Sequence, residues 1–148
     1  MPDKKISDLL AASALDGTEI FPLVQGAATK KASAKEVAKL GYQDIITETG
    51  TAKTLAISDI GAWIRFTATG GVTCTVPSNA TVPFPIGTTL NGIQAGSGQV
   101  TFVASGGVTV NKPADYNAKT RLQSAPWCLV KVAADVWDLL GDLELIVL

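Results

Sequence analysis

The sequence contains no histidine and only two cysteines among its 148 residues. Without histidine it lacks the side chain that most often serves as a general base or metal ligand near neutral pH, and it cannot form a Ser-His or Cys-His nucleophile pair. Cys74 and Cys128 have no CxxC spacing, so the sequence does not indicate a zinc site. Both lie in apolar, strand-like sequence, which favours buried free thiols, although a disulfide between them stays open.

Charged residues are also scarce. They make up 17% of the chain, and the formal net charge is −1. No basic stripe with interleaved aromatics occurs, and no apolar run is long enough to span a bilayer, so we expect neither nucleic-acid binding nor membrane insertion. The N-terminal sequence does not resemble a secretory signal, which favours assembly in a cytoplasm. A normal apolar fraction with few charges favours surfaces that partners cover.

No arrangement of acidic residues has the spacing of a known catalytic or metal site. Asp135, Asp138, Asp142 and Glu144 cluster near the C-terminus, and Asp115 lies in a polar stretch. Neither a glycosidase carboxylate pair nor a calcium loop is recognisable among them. The glycine-rich stretches "QAGSGQV" and "ASGGV" lack the strand-to-helix context of a phosphate loop and are predicted to be hairpin turns. We therefore expect a non-enzymatic protein with no cofactor and no metal.

Residues 1–50 are predicted to form a small α+β arm. Helices are predicted in "ISDLLAASAL" and in "SAKEVAKL", where Ser33 and Glu36 have the spacing of a capping box. Between them, "IFPLV" and "ATKK" favour a small hairpin. Such a segment cannot bury a large core alone, so we expect it to dock on another protein. The predicted docking residues are Ile6, Leu9, Phe21, Leu23, Val24, Lys30, Lys31 and Val37.

Residues 51–148 are predicted to form a β-domain. Short runs rich in Val, Ile, Thr and Phe alternate with Gly, Pro, Asn and Ser, which is typical of an antiparallel β-sandwich, jelly-roll-like, or a small barrel. "GYQDIITETGTAK" is predicted to join the two parts, and "SNATVPFPIG" and "KPADYNAKTRLQS" to be connections. "APWCLVKVA" and "VWDLL" are predicted to form the last hairpin. The predicted core is Ile64, Phe66, Val72, Cys74, Val76, Ile93, Phe102, Val108, Leu129 and Leu139.

The sequence "LELIVL" at positions 143–148 is apolar on both faces of a strand beyond Glu144. One sheet face cannot bury all of these side chains, and an exposed apolar edge strand invites pairing with other chains. We therefore predict that the segment packs across a subunit boundary, with a last strand folded back on its own domain as the alternative. The predicted interface residues are Leu143, Leu145, Ile146, Val147 and Leu148.

Two stretches resemble segments of tailed-bacteriophage virion proteins. The first resembles an N-terminal segment common in phage fibre and virion-appendage proteins, which typically lies toward the virion. The second, from "TLAISDIGAWIRF" to "WDLLGDL", resembles a β-domain found in the distal part of phage fibres. The matching residues of the first are Ile6, Ser7, Leu9, Leu15, Gly17, Thr18, Glu19, Pro22, Val24, Gln25, Gly26, Thr29 and Lys31. Those of the second are Val76-Pro77, Pro85-Ile86-Gly87, Ile93-Gln94, Gly96, Gly98, Gly107-Val108, Trp137, Leu139 and Gly141-Asp142.

The resemblance implies a homotrimeric virion structural protein with no enzymatic activity. The chain has no heptads or collagen-like repeat between the two stretches, so its reach is short. This favours a capsid decoration (cement) protein or short head fibre that docks on the major capsid protein or another virion protein and displays a β-knob. The alternative is a short tail fibre or adsorption protein whose knob binds a host surface glycan or protein.

Overall fold

The computed structural model describes residues 20–25, 28–33 and 43–147, with side chains from residue 43 onward. The chain divides into a first unit of residues 1–42 and a second of residues 43–148. The boundary predicted at residue 50 therefore differs from this division. No helix among the described residues is long and apolar enough to cross a membrane.

The first unit contains the predicted hairpin. Strands β1 (Ile20–Gln25) and β2 (Ala28–Ser33) pair antiparallel, from Ile20 opposite Ser33 to Gln25 opposite Ala28. The strand predictions for "IFPLV" and "ATKK" are confirmed. The two predicted helices lie almost entirely outside the described residues.

The second unit is a two-sheet β-structure, as predicted. Its strands are β3 (Asp44–Glu48), β4 (Ala52–Thr54), β5 (Ala62–Phe66), β6 (Val72–Val76), β7 (Thr89–Gln94), β8 (Val100–Ala104), β9 (Thr109–Asn111), β10 (Tyr116–Thr120), β11 (Pro126–Ala133), β12 (Val136–Gly141) and β13 (Leu143–Leu145). A single 3-10 turn is described, at Ile57–Asp59. The sheet orders are β3-β5-β7-β11-β12-β9 and β13-β10-β8-β6-β4.

Successive strands from β3 to β11 alternate between the two sheets, so the chain coils around the core. From β3 to β8, each strand lies beside the one before the last and runs in the same direction, so the pairings β3–β5, β5–β7, β4–β6 and β6–β8 are parallel. Strand β9 also pairs in parallel, with β12, whereas β8–β10 and β7–β11 are antiparallel. The mainly β, two-layer prediction is confirmed, but the antiparallel pairing predicted for this sandwich is wrong for the parallel pairs.

The stretches "QAGSGQV" and "ASGGV" are predicted to be hairpin turns, and this is also wrong. The turns at 69–71, 96–98 and 105–107 each join strands of different sheets. Short turns connect neighbours in a hairpin only when the chain reverses within one sheet. Here they are arches, which carry the chain from one layer to the other. The last hairpin, β11–β12, is antiparallel within one sheet and is confirmed.

Consecutive arches stack through main-chain hydrogen bonds. The amides of Ala95 and Gly96 donate to the carbonyl of Phe66 at 2.7 and 2.8 Å, and the Gly98 amide donates to the Ala68 carbonyl at 3.0 Å. A Cβ on Gly98 would lie 1.8 Å from the carbonyl oxygen of Gly70. Glycine is therefore required at position 98 for one arch to lie on the next.

Two predicted connections contain strands. "DIITE", placed in the joining segment, is β3, and "YNAKT", placed in the longest polar connection, is β10. Neither strand has a clear apolar alternation, because β3 is an edge strand and the outer face of β10 is polar. Pairing with β5 and with β8 and β13 makes these residues extended. The Pro-rich connection at 77–88 contains no strand, as predicted.

The core lies between the two sheets around Trp127. Its ring lies 5.9 Å from that of Phe66 and 5.1 Å from that of Phe102, centroid to centroid. Eight of the ten predicted core residues are buried. The buried hydrophobic cluster is Leu55, Ile64, Phe66, Ala68, Val72, Cys74, Val76, Phe84, Leu90, Val100, Phe102, Trp127, Leu129, Trp137, Leu139 and Leu143.

The two other predicted core residues are only half-buried. Val108 packs against the cluster from its rim. Ile93 lies on the outer face of β7, because Leu90 and Gln94 point inward on that strand. The side-chain amide of Gln94 can be buried because both of its polar atoms are hydrogen-bonded. The Thr120 hydroxyl donates to Oε1, and Nε2 donates to the Gly96 carbonyl. A satisfied polar side chain thus occupies the inner position that the sequence pattern assigned to Ile93.

A buried lysine holds the Pro-rich connection in place. Lys131 is 2% exposed, and its Nζ donates to the Asn79 side chain and, at 2.8 Å, to the Phe84 carbonyl. The same ammonium lies 5.9 Å from the ring centroid of Trp137, within cation–π range. Phe84 also packs edge-on against Trp137. These contacts fix the connection against β11 and β12.

Prediction for the arches. Gly98→Ala should lower the free energy of unfolding by about 1–3 kcal/mol or more, because the added methyl overlaps the backbone of the neighbouring arch. Urea unfolding of the purified protein measures this. The matched control is Gly106→Ala, where an added Cβ meets nothing within 4 Å, and its stability should stay within about 1 kcal/mol of wild type. Equal stability of the two variants would contradict the stacked-arch structure.

Candidate interaction surfaces

The outer faces of the two sheets differ in character. On the five-stranded sheet, alternation and pairing place Thr73, Thr75 and Thr101 side by side, with Lys119 next to Thr101. One large aliphatic side chain, Val103, is exposed there. Thr-rich strands with polar neighbours are typical of a solvated sheet face.

The outer face of the six-stranded sheet is apolar. The registers align Ile45, Trp63, Asn91, Cys128 and Leu140 in one row across five strands. Ile93 and Val130 lie in the adjoining rows. Ile45 and Leu140 are 61% and 53% exposed, and the other apolar members are half-buried. We call this surface the apolar face; it consists of Ile45, Trp63, Ile93, Cys128, Val130 and Leu140.

Two charged side chains lie on the same outer side of the sheet as the apolar face. Arg65 is exposed beside Ile93 and has no hydrogen-bond or ion-pair partner among the described residues. Asp138 accepts a hydrogen bond of 2.8 Å from the Asn111 amide. Among the described residues, the face therefore carries a cation with no partner, Arg65, and a carboxylate, Asp138, whose only hydrogen-bond donor is a neutral amide, within a largely apolar surface. Patches of this kind on soluble proteins mark interaction sites.

The C-terminal residues form the second surface. Strand β13 pairs antiparallel with β10 at the edge of the five-stranded sheet, and Leu143 is buried in the core. The alternative of a last strand folded back on its own domain therefore describes β13. At the end of β13 and just beyond it, Leu145, Ile146 and Val147 are 55%, 38% and 93% exposed. These three residues, called the C-terminal segment, keep the predicted interface role as a prediction; Leu148 lies outside the described residues.

An open groove of about 280 Å³ lies beside this segment. It is lined by Pro113, Tyr116, Leu140, Gly141, Asp142 and Leu143. Its carboxylate, Asp142, accepts two hydrogen bonds from Arg121, at 2.7 and 2.8 Å. Their interaction lowers the pKa of Asp142 and raises that of Arg121. The lining thus offers apolar contact and a neutralised ion pair, with no nucleophile beside a base. Tyr116 is partly buried against the core.

Glu144 attaches β13 to its neighbours. Its carboxylate accepts hydrogen bonds from Gln99, Asn117 and Lys119 at 3.1–3.3 Å. The hydrogen bond from Gln99, followed by those from Asn117 and Lys119, lowers the pKa of Glu144 below its ordinary value of 4.5. Asn117 and Lys119 belong to β10 and Gln99 to the turn before β8, so the ionised carboxylate ties β13, the strand that carries the C-terminal segment, to both.

The other polar groups near the core have structural roles. The Lys53 ammonium lies 2.8 Å from a Glu48 oxygen and 2.9 Å from an oxygen of buried Asp59. Cys74 and Cys128 are free, as predicted. Burial raises the pKa of the Cys74 thiol to about 12, which makes it unreactive near neutral pH. Residues 43–147 contain no cluster of three or more His, Cys, Asp or Glu that could hold a metal.

The predicted docking residues of the arm are only partly described. Phe21, Leu23 and Val24 lie in β1, and Lys30 and Lys31 in β2. The other three, Ile6, Leu9 and Val37, lie outside the described residues. Their docking role stays a prediction.

The apolar face was not predicted from the sequence. Alternation in "AWIRF" already placed Trp63 and Arg65 on one side of β5, opposite the buried Ile64 and Phe66. A tryptophan on the outer side of the strand was the available signal. The row itself depends on which strands are neighbours, because Ile45 and Leu140 are far apart in sequence. Only the register brings them together.

Prediction for the C-terminal strand. Since the folded-state pKa of Glu144 is lowered, its contribution to stability is complete above about pH 4.5, the unfolded value. It is lost as the pH falls through the lower, folded-state pKa. The free energy of unfolding should therefore decline in acid, and less steeply in Glu144→Gln. Urea unfolding near pH 7 and at about pH 3.5 compares the two proteins. Identical pH dependence would contradict this role of Glu144.

Comparison with known proteins does not assign the chain to a family. No protein-family model matches the sequence, and no curated protein matches it significantly. The surfaces described above and the resemblance of the two sequence stretches are therefore the basis of the function proposed below.

Proposed function

We propose that this chain is a non-enzymatic structural protein of a tailed-bacteriophage virion. In this proposal it is a homotrimeric capsid decoration or short head-fibre protein, docked through its N-terminal arm and displaying the β-unit. The observation that carries the proposal is the exposed C-terminal segment at an unpaired sheet edge. The phage context and the trimeric state come from the sequence resemblance.

The C-terminal segment supports self-association on energetic grounds. Full burial of one large aliphatic side chain contributes about 1.5–3 kcal/mol. Val147 is 93% exposed and Leu145 is 55% exposed, so most of that contribution is unused in the isolated chain. Strand β13 is also an edge strand with no charged residue beyond Glu144 to discourage pairing. Such an edge favours contact with another protein surface.

The polar groups support a structural role. Asp59, Asp142 and Glu144 are each engaged in ion pairs with lysine or arginine. These pairs hold turns and strands together. Hydrogen bonds from neighbouring side chains, together with the ion pairs with Arg121 and Lys119, lower the pKa of Asp142 and Glu144, which makes these two carboxylates poor general acids or bases near neutral pH.

The position of the protein on the virion distinguishes decoration from adsorption. Electron microscopy of the virion, with the chain located by labelled antibody, should show many copies on the head. A few copies at the tail would favour the adsorption-protein alternative instead. Failure to find the chain on virions would overturn the proposal.

Prediction for self-association. The double variant Leu145→Asp/Val147→Asp should be a folded monomer, whereas the wild-type protein should sediment as a trimer. The two introduced carboxylates would have to be buried at the subunit boundary, which costs several kcal/mol. The dissociation constant of the trimer should therefore rise at least tenfold. Analytical ultracentrifugation measures the mass. Ile57→Asp is the control, because Ile57 is 47% exposed in a turn between β4 and β5. A double variant that stays trimeric would contradict the prediction.

Prediction for the arm. Deleting residues 1–42 should leave a folded β-unit that no longer binds virus particles. The second unit has its own buried core, so it should fold without the arm. Cosedimentation with particles lacking the protein measures binding, and circular dichroism checks the fold. A truncated protein that binds particles at full occupancy would assign docking to the β-unit instead.

A further inference from the structure

We infer that the apolar face of the six-stranded sheet receives the C-terminal segment of a second copy of this chain. The inference rests on the proposed self-association and specifies its geometry. Each copy would offer its apolar face to one neighbour and its C-terminal segment to another. Such a contact is heterologous, and it forms a ring when the rotation closes.

The contrast between the two outer faces indicates that the apolar face is covered. Both faces are built from strands of the same coil, with the same alternation. One presents Thr73, Thr75 and Thr101 with a single exposed aliphatic, Val103; the other presents Trp63, Ile93 and Val130, with Thr89 and Asn91 between them. A sheet that faces water on its outer side shows the first pattern. The second pattern is typical of a sheet with both faces packed.

A chain's own C-terminal segment is held away from its apolar face. Leu145 pairs with Tyr116 in the five-stranded sheet, and the Ile146 amide donates to the Asp115 carbonyl at 2.8 Å. The apolar face belongs to the other sheet and points outward from it. Covering it with the same chain's segment would break these hydrogen bonds, whereas a neighbour's segment can reach it with β13 in place.

The size of the apolar face limits what two such faces could bury against each other. The face spans five strands at about 4.8 Å spacing and three rows about 6.8 Å apart, which gives a patch of roughly 400–500 Å². Stable interfaces bury about 800 Å² on each partner, so two apolar faces packed together would bury only about half of that area. In a closed ring each copy buries both its face and its C-terminal segment, so the area buried per copy is larger, although no single contact is.

The unpaired charges are complementary across this contact. Arg65 is the uncompensated cation of the apolar face, and Asp115 is exposed beside Leu145 and Ile146. Neither has a hydrogen-bond or ion-pair partner for its side chain among the described residues. Covering Arg65 with apolar atoms alone would be unfavourable, because an unpaired charge would lose its water. A segment that brings Asp115 with it supplies the missing anion.

The native Cys128 on the apolar face provides a direct test. In Val147→Cys, mild oxidation of the full chain should form disulfides between Cys128 of one copy and the new thiol of the next. Because each copy has one thiol of each kind, a non-reducing gel should show covalent species ending at three chains. Adding Cys128→Ser should abolish them. A matched control, Val103→Cys/Cys128→Ser/Val147→Cys, moves the receiving thiol to the polar outer face and should not cross-link.

The outcomes of cross-linking discriminate between occupants of the apolar face. Equal cross-linking in the Val103→Cys control would overturn the inference, and so would no intermolecular product from Val147→Cys. If the wild-type protein forms disulfide-linked dimers through Cys128 alone, the inference is overturned, and two apolar faces pack against each other instead. A ladder extending beyond three chains would support the contact but show an open assembly.

A charge exchange tests the pairing without relying on disulfide geometry. Arg65→Asp and Asp115→Arg should each raise the trimer dissociation constant at least tenfold, and the double variant should recover most of that loss. Sedimentation equilibrium measures all four proteins, with unfolding midpoints as a check on folding. If the dissociation constant of the trimer is unchanged by both single substitutions, this inference is overturned, whereas the proposed function is not. A wild-type protein that is monomeric at all concentrations would overturn the proposed self-association itself.

Discussion

The stacking of one arch on the next is the interaction on which the rest of the β-unit depends. Hydrogen bonds from Ala95, Gly96 and Gly98 to the preceding arch hold two circuits of the coil in register. With the register set, Phe66, Phe102 and Trp127 meet inside. The same register aligns the apolar row on the outside. These main-chain hydrogen bonds thus help to determine both the core and the surface that we propose as an interface.

The two ends of the coil are protected differently. At the end formed by β3 and β4, Lys53 bridges Glu48 and Asp59 just inside the sheet edges. Inward-pointing charges at an edge discourage further strand pairing. At the end formed by β9 and β13, the groove and the C-terminal segment are mainly apolar. This asymmetry suits an assembly in which only the end with β13 contributes a sheet edge to the contact with a neighbour.

Local patterns predicted much of this structure. Alternation in "AWIRF" and "VTCTV" identified the inner residues of β5 and β6, because each strand has one buried face. The same reasoning misassigned Ile93, since the buried Gln94 is satisfied by Thr120, a residue far away in sequence. Strands β3 and β10 were missed because pairing, not composition, makes them extended. The sequence pattern identified the exposed aliphatic residues near the C-terminus, but it did not identify the apolar face that we propose binds them.

The sequence by itself determined that the protein is mainly β, that no histidine chemistry is present and that the last residues are too apolar for one sheet face to bury. Composition and short-range alternation carry this information, because they act within one strand. Tertiary structure alone decided that the strands coil in parallel and that Ile45, Trp63, Cys128 and Leu140 form one row. Glycine turns are compatible with hairpins and with arches. Which of the two forms depends on long-range hydrogen bonds and burial, and these exist only once the two sheets have assembled around their core.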